Sequence, residues 1–231
     1  MSGELHGVIV APGERLDQRV EAKAPYIAEV NGVKVATTVG IVSQREGKSV
    51  FIPLKGVYVP EPGHVVIGLV ESIGVSSWGV DINSPYQAVL AAQDFLGRPF
   101  NPAVDDLSRF LKVGDYVKAK VAAFDKTRSP LLSVQGEGLG RIISGVIVEV
   151  PPAKIPRVIG KRRSMVEAIE AKTGCSVFPA VNGRVHIDCP SRELEVIAVL
   201  AVKLIDREAH RVGLTEKVIR FIEDERRARG V

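Results

Sequence analysis

The chain has 231 residues, of which 45% are hydrophobic and 25% charged, and its 31 basic and 27 acidic side chains give a net charge of +4 at pH 7. These proportions are typical of a folded globular protein and exclude a disordered chain. No apolar run approaches the roughly 18 residues that span a bilayer, and the start, MSGELHGVIVAPGERLD, lacks the basic and apolar segments of a signal peptide.

Residues 1–60 are predicted to form a small β barrel or sandwich, because short strands alternate with glycine-containing turns. Asn31-Gly32 stands between two β-branched runs, which is typical of a type I′ hairpin. Glu46-Gly47 predicts a second turn, followed by a strand that ends at Pro53. The proline- and glycine-rich segment from Val59 to His64 predicts the first domain boundary.

Residues 61–137 are predicted to form a five-stranded OB-type barrel. The five strands are expected in HVVIGLVESIG, WGVDI, YQAVLAA, VGDYVKAKVAAFD and PLLSVQG. A long irregular excursion separates the third strand from the fourth. It is expected to hold a short helix around Asp105 to Phe110, with Asp105 as its N-terminal cap.

The glycine-rich segment QGEGLGR predicts a second domain boundary, and residues 138–231 have a different pattern of predicted elements from the residues before them. They predict a strand in RIISGVIVEVP, two helices, a hairpin that turns at Asn182-Gly183, and two long helices. That order matches a KH module, an α+β domain in which the loop between the first two helices clamps a nucleic-acid backbone. The net charge is +5 here, against +1 in residues 1–60 and −2 in residues 61–137. An electrostatic footprint for nucleic acid is therefore expected mainly in the last third.

The chain resembles a known family over nearly its whole length. VIGKRRSMVEAIEAKTGC resembles the KH loop and its following helix. WGVDINSPY upstream of that module, together with VAPGERL and FIPLKGVYVP, resembles the KH-containing RNA-binding cap subunit of the archaeal exosome.

That resemblance implies a non-catalytic subunit that recruits single-stranded RNA. Three copies are implied on a hexameric ring of phosphorolytic subunits that degrades RNA from its 3′ end. The N-terminal domains are expected to dock on the ring, and the OB domains to surround its entry pore.

The KH loop supplies the first set of candidate RNA-binding residues, because five cations and no acidic residue lie between positions 154 and 163. These candidates are Lys154, Arg157, Gly160, Lys161, Arg162 and Arg163. The alternative is a solvated, charged helix entrance. Arg163 departs from the family pattern, which has a second glycine at that position. Either arginine bears the strain of a positive φ there, or the loop is reshaped and keeps a negative φ.

The OB domain supplies the second set, because single-strand binding uses aromatic faces for bases and cations for the backbone. The candidates are Trp78, Tyr86, Lys118, Lys120, Lys126 and Arg128. Lys118 and Lys120 alternate along the fourth predicted strand and are expected to share one face. The alternative is that the aromatic residues belong to the core and that the lysines are merely solvated.

No metal, cofactor or catalytic site is predicted. The four histidines are scattered without metal-ligand spacing, and GKRRS lacks the upstream glycine of a nucleotide-binding loop. A two-residue turn at Asn182-Gly183 would place Cys175 and Cys189 on opposite faces of the hairpin. We therefore expect free thiols and a reducing cytoplasmic location.

Two other functional classes remain open from the sequence. One is a ribosome- or transcription-associated factor that combines the same two RNA-binding modules, and the other is a nuclease that acts alone. A stoichiometric complex with phosphorolytic ring subunits would favour the exosome hypothesis over both.

Overall fold

The computed structural model describes residues 8–21, 26–45, 48–54, 56–209 and 213–230, except the side chain of Arg45. Its buried apolar side chains form three separate clusters, one after another along the chain. The first cluster draws on residues between 10 and 51, the second between 58 and 132, and the third between 148 and 222. The multidomain β and α+β architecture predicted from the sequence is confirmed.

Two small sheets form the N-terminal part. Their strands are β1 (Val8–Val10), β2 (Ile27–Val30), β3 (Val33–Ala36), β4 (Gly40–Arg45) and β5 (Lys48–Pro53). Strands β1, β4 and β5 make one antiparallel sheet, and β2 pairs with β3 in the other. Asn31 and Gly32 have φ values of 51° and 76°, which confirms the type I′ turn. The predicted turn at Glu46-Gly47 lies outside the described residues.

Five strands close into a barrel in the middle of the chain. They are β6 (Val65–Ile73), β7 (Ser77–Asp81), β8 (Ala88–Ala91), β9 (Tyr116–Ala123) and β10 (Leu131–Ser133). Closure comes from β10, which pairs in parallel with β8 and antiparallel with β9, while β9 pairs with β6. This is the OB-type topology expected from the sequence.

The excursion between β8 and β9 differs from its prediction in two ways. An additional helix, α1 (Ala92–Leu96), follows β8 directly, and the short helix that was predicted is a 3-10 turn at Leu107–Arg109. Asp105 as its N-cap is wrong, because Asp106 takes that role and accepts a hydrogen bond from the backbone N–H of Ser108. Asp105 instead pairs with Arg98 at 2.6 Å.

The C-terminal part begins on the barrel. Strand β11 (Gly140–Arg141) adds to the edge of β9, and β12 (Val146–Glu149) opens the third domain. The single strand predicted from Arg141 is therefore wrong in extent. Gly145, with a φ of 78°, separates the two pieces, and a Cβ there would lie 2.3 Å from the carbonyl oxygen of Ile187.

The remaining elements form the predicted KH module. After a 3-10 turn at Pro152–Lys154 they are α2 (Ile155–Ile159), α3 (Ser164–Thr173), β13 (Ser176–Pro179), β14 (Arg184–Asp188), α4 (Arg192–Glu208) and α5 (Leu214–Arg229). The antiparallel sheet has the order β12-β14-β13. All four helices contribute to the core cluster that covers one face of this sheet. Gly174 ends α3 in a left-handed conformation, and Ser191 caps α4, both as predicted.

The prediction of free thiols is wrong, because the hairpin loop is one residue longer than a two-residue turn. The backbone N–H of Ala180 donates to the carbonyl of Arg184, so the loop has three residues and ends at Gly183, with a φ of 90°. Strand pairing then matches Ser176 with Asp188. Cys175 consequently faces Cys189, and the two form a disulfide with a Cα–Cα distance of 4.1 Å.

Candidate nucleic-acid interface

Gly160 ends helix α2 and opens the basic loop. Its φ of 74° and ψ of 170° lie outside the range of other residues. A Cβ at this position would lie 2.6 Å from the backbone nitrogen of Met165, the second residue of α3. Glycine is therefore required on both counts, and its backbone brings the loop close to the start of α3.

The loop itself consists of Lys161, Arg162 and Arg163, all of which are exposed. Among the residues that the structure describes, none of the three has an ion-pair or hydrogen-bond partner for its side chain. The first turn of α3 also has no side-chain cap, and the positive end of its helix dipole lies at this loop. The arrangement places three exposed cations at the positive end of a helix dipole, which is suited to a phosphate group.

Arg162 and Arg163 both have a left-handed backbone, with φ of 52° and 66°. This resolves the alternatives for Arg163: the loop keeps the positive φ, and arginine bears the strain. For a residue with a Cβ, that conformation costs roughly 1–2 kcal/mol. Strain of this kind persists where the surrounding structure imposes it and is common at ligand-binding sites.

Lys154, which ends the 3-10 turn before α2, and Arg157, on α2, precede the basic loop. Lys154 Nζ is 2.6 Å from Asp206 Oδ1 and 2.8 Å from the carbonyl oxygen of Asp206, so it ties the start of α2 to α4. Arg157 is half-buried in the last turn of α2. Of the cations predicted for this loop, Lys154 is thus engaged within the fold, and the other four have no side-chain partner in the part of the chain that the structure describes.

The OB barrel brings four of its six predicted residues to one end. Lys120 is exposed near the end of β9, and Lys126 and Arg128 are exposed in the loop that follows. Tyr86 is half-buried, and its ring meets the ring of Phe124 edge-on at a centroid distance of 4.8 Å. The cluster therefore combines aromatic rings with three solvent-facing cations, as single-strand binding requires.

Asp125 shapes the loop that carries two of these cations. Its Oδ1 accepts hydrogen bonds from the hydroxyl and backbone N–H of Thr127, at 2.8 and 2.9 Å, and from the backbone N–H of Arg128. These bonds, led by that of the Thr127 side chain, hold the pKa of Asp125 below its usual value. The carboxylate thus orders the loop and stays ionised.

Lys118 has a different environment from Lys120, although both point outward from β9. Its Nζ lies 3.9 Å from the centroid of the Phe178 ring, at the boundary between the barrel and the KH sheet. Burial lowers the pKa of the Lys118 ammonium group. Lys118 is therefore a residue of the boundary between the two domains, while Lys120 faces solvent.

Trp78 does not fit its predicted role. Its side chain is fully buried in the barrel core, its ring packs edge-on against Phe95, and its Nε1–H donates to the carbonyl of Leu111 at 3.2 Å. An indole held in this way has no free face for a base. The prediction that Trp78 stacks on RNA is therefore wrong, and its side chain packs in the barrel core.

The boundary between barrel and KH module holds buried polar residues that sequence reasoning missed. Asn182, in the hairpin loop, is fully buried. Its Oδ1 accepts from the backbone N–H of Ile67, and its Nδ2 donates to the carbonyls of Ile67 and Ile82, at 2.8 and 2.9 Å. Asn83 completes the contact by donating to the carbonyl of Asn182 at 2.7 Å. The hairpin loop thus docks on strands of the barrel.

Arg184 reinforces the same boundary and is only 3% exposed. Its guanidinium group forms an ion pair with Asp81, donates to the Asp81 carbonyl at 2.7 Å, and reaches Glu149 Oε1 at 3.2 Å. The Asn182-Gly183 turn was the only feature of this boundary that the sequence predicted. Nothing in the sequence indicated that the turn contacts the barrel. The orientation of the KH module on the barrel is therefore fixed by specific hydrogen bonds.

Fold and site together define a class of protein that combines an N-terminal β domain, an OB barrel and a KH module with a basic loop. The family model of the KH domain matches residues 145–203. The chain is 60% identical to the exosome complex component Rrp4 of Aeropyrum pernix over 230 residues, which cover 99% of this chain and 98% of that protein. It is 43% identical to Rrp4 of Saccharolobus solfataricus over 219 residues, 94% of this chain and 88% of that protein. The chain therefore belongs to the Rrp4 family of exosome complex components.

A solved structure agrees with this assignment. A crystal structure assigned as an exosome complex RNA-binding protein superposes with a TM-score of 0.73 and 65% sequence identity. The match covers 75% of this chain and 99% of that one.

Within the described ranges, none of the helices is both long and apolar enough to cross a bilayer.

Proposed function

We propose that the protein is a non-catalytic RNA-binding cap subunit of an exosome, which recruits single-stranded RNA and delivers it to a phosphorolytic ring. The observation that carries this proposal is the exposed loop of Lys161, Arg162 and Arg163 at the uncapped start of α3, in a chain related to Rrp4 over its full length. Cations and backbone amides bind phosphate but provide no nucleophile or general base, which supports a binding role over a nuclease.

The KH loop is proposed to hold the RNA backbone. Four cations, Arg157, Lys161, Arg162 and Arg163, attract phosphate groups, and the positive end of the α3 dipole adds to this attraction. Arginine in place of a second glycine adds a charge that does not discriminate between bases. We therefore expect a contact that is strong at low salt and only weakly selective for sequence.

The OB barrel is proposed to guide the strand toward the ring. Lys120, Lys126 and Arg128 would follow the backbone, and Tyr86 would contact a base next to Phe124. Lys118 takes part at the domain boundary, and Trp78 is left out of the RNA-binding set because it is buried. The net charge of −2 in residues 61–137 would weaken the attraction for RNA phosphates, which suits a strand that moves across the barrel better than one that is held tightly.

We propose that the chain has three domains, at 1–60, 61–137 and 138–231, each with its own role. The first would dock on a hexameric ring of phosphorolytic subunits, with three copies of this chain per complex in the cytoplasm. Residues just outside the bounds of the middle domain also contact the barrel, because the Tyr58 side chain packs in its core and Gly140–Arg141 pair with β9.

Native mass spectrometry of the chain mixed with purified ring subunits tests the proposal. We expect one dominant species that contains six ring subunits and three copies of this chain, and faster phosphate-dependent degradation of RNA than by the ring alone. Absence of a stoichiometric complex would contradict the proposal. RNA degradation by the purified chain alone, with phosphate or Mg²⁺, would contradict its non-catalytic role.

A further inference from the structure

The KH sheet has a second face, which its helices do not cover. Val177, Val185 and Ile187 point into the helical core, so the alternating residues of the same strands point the other way. Phe178 pairs across the sheet with His186, and His186 with Ile147. All three side chains of this row are half-buried, so their surface is partly open to solvent.

This half-buried row continues onto the barrel. On β9 the side chains of Val117, Ala119 and Val121 fill the barrel core, which turns Lys118 and Lys120 outward. Lys118 lies over the Phe178 ring, and Lys120 follows about 7 Å further along the strand. That step is comparable to the distance between phosphates in an extended single strand.

Beyond Lys120 the same strand leads to the Tyr86–Phe124 pair and to the cations of the following loop. Aromatic rings thus stand at both ends, with two lysines between them. We name the part formed by Phe178, Lys118 and Lys120 the junction track. It lies on the face of the KH sheet opposite the helices α2 and α3, and therefore apart from the basic loop that joins them.

We propose that the junction track binds single-stranded RNA, with Phe178 as a base-stacking residue and Lys118 and Lys120 on the phosphates. This proposal rests on the proposed function and assigns a second RNA-binding surface to the KH module. A strand held there passes directly between the KH module and the aromatic end of the barrel.

Contacts with RNA can replace the contact between Lys118 and Phe178. The domain boundary is already held by Asn182 and Arg184, both fully or almost fully buried and saturated with hydrogen bonds. Lys118 and Phe178 lie at the open margin, where both remain half-buried. A cation–π contact at such a site is weaker than base stacking on an aromatic ring. The ammonium group can therefore leave the ring for a phosphate while a base takes its place.

The substitution Phe178→Trp provides a direct reporter, because Trp78 is the chain's single tryptophan and is fully buried. Titration with a short single-stranded oligoadenylate is expected to quench the new tryptophan, with the same midpoint as binding measured by fluorescence anisotropy. Phe178→Leu, which keeps an apolar side chain, is expected to weaken binding about tenfold. Lys120→Ala should weaken it about threefold, whereas Lys112→Ala, a control at the other end of the barrel, should not.

The possible outcomes separate this proposal from the one on which it rests. Wild-type affinity of Phe178→Leu, together with RNA binding that leaves Phe178→Trp unquenched, would overturn the junction track and leave the basic loop in place. Failure of the wild-type chain to bind the oligonucleotide at all would overturn the proposed function as well. Thermal melts of each variant establish that the affinities compare folded proteins.

Discussion

Replacing Arg163 by glycine separates the strain of the basic loop from its charge. Arg163 has a φ of 66°, a conformation that costs a residue with a Cβ roughly 1–2 kcal/mol. Glycine removes that strain but raises the entropy of the unfolded chain by about 0.4–1 kcal/mol. The difference predicts that Arg163→Gly stabilises the KH module by about 0.5–1 kcal/mol.

Arg163→Ala is the matched comparison, because it removes the same charge and keeps the Cβ. Its stability should stay within about 0.5 kcal/mol of the wild type. Both variants lose one cation and should bind RNA equally more weakly. Arg163→Gly is thus expected to be more stable than both Arg163→Ala and the wild type, and to bind RNA as weakly as Arg163→Ala.

Hydrogen exchange of the α3 amides measures the KH module separately from the two β domains, and fluorescence anisotropy gives the RNA affinity. A glycine variant no more stable than the alanine variant would refute the strain argument. Wild-type RNA affinity in both variants would refute a phosphate contact by Arg163.

Three further predictions concern the scaffold. Asn182→Ala leaves buried backbone groups of Ile67 and Ile82 unpaired and should lower stability by about 3 kcal/mol in urea unfolding. The exposed neighbour Val181→Ala should have little effect. The Arg98 side chain holds the pKa of Asp105 at about 2. The stability from this pair should therefore be full above about pH 4 and be lost as the pH falls toward 2; an identical acid profile for Asp105→Asn would contradict it. Replacing both cysteines by serine opens a loop of about 15 residues and should cost about 3 kcal/mol, and an unchanged melting temperature would argue against the disulfide.

Much of the fold was predictable because local sequence determines it. The Asn31-Gly32 turn, the serine cap of α4 and the glycine that ends α3 each depend on the backbone preference of one or two residues. The order of these elements was sufficient to predict a KH module. The basic loop was recognisable for the same reason, since its cations are adjacent in sequence.

The remaining features depend on contacts between distant residues. The Asn182-Gly183 signal predicted a turn, but one extra loop residue changed the register, and with it the pairing of Cys175 and Cys189. In the sequence, Arg184 is one more basic residue, although its partners on the barrel lie more than 100 positions away. Tryptophan is a residue type that stacks on bases, and only the closure of the barrel shows that Trp78 is buried.

The RNA affinity of the assembled complex, measured as a function of salt, tests the central claim most directly. Replacing Lys161, Arg162 and Arg163 together by alanine should reduce the slope of log K against log salt by about two, because each phosphate contact on a single strand contributes about 0.7. The control variant removes three other exposed cations of the same types, Lys112, Arg192 and Arg220, and should keep the wild-type slope. An unchanged slope in the loop variant would contradict an RNA-binding role for the loop.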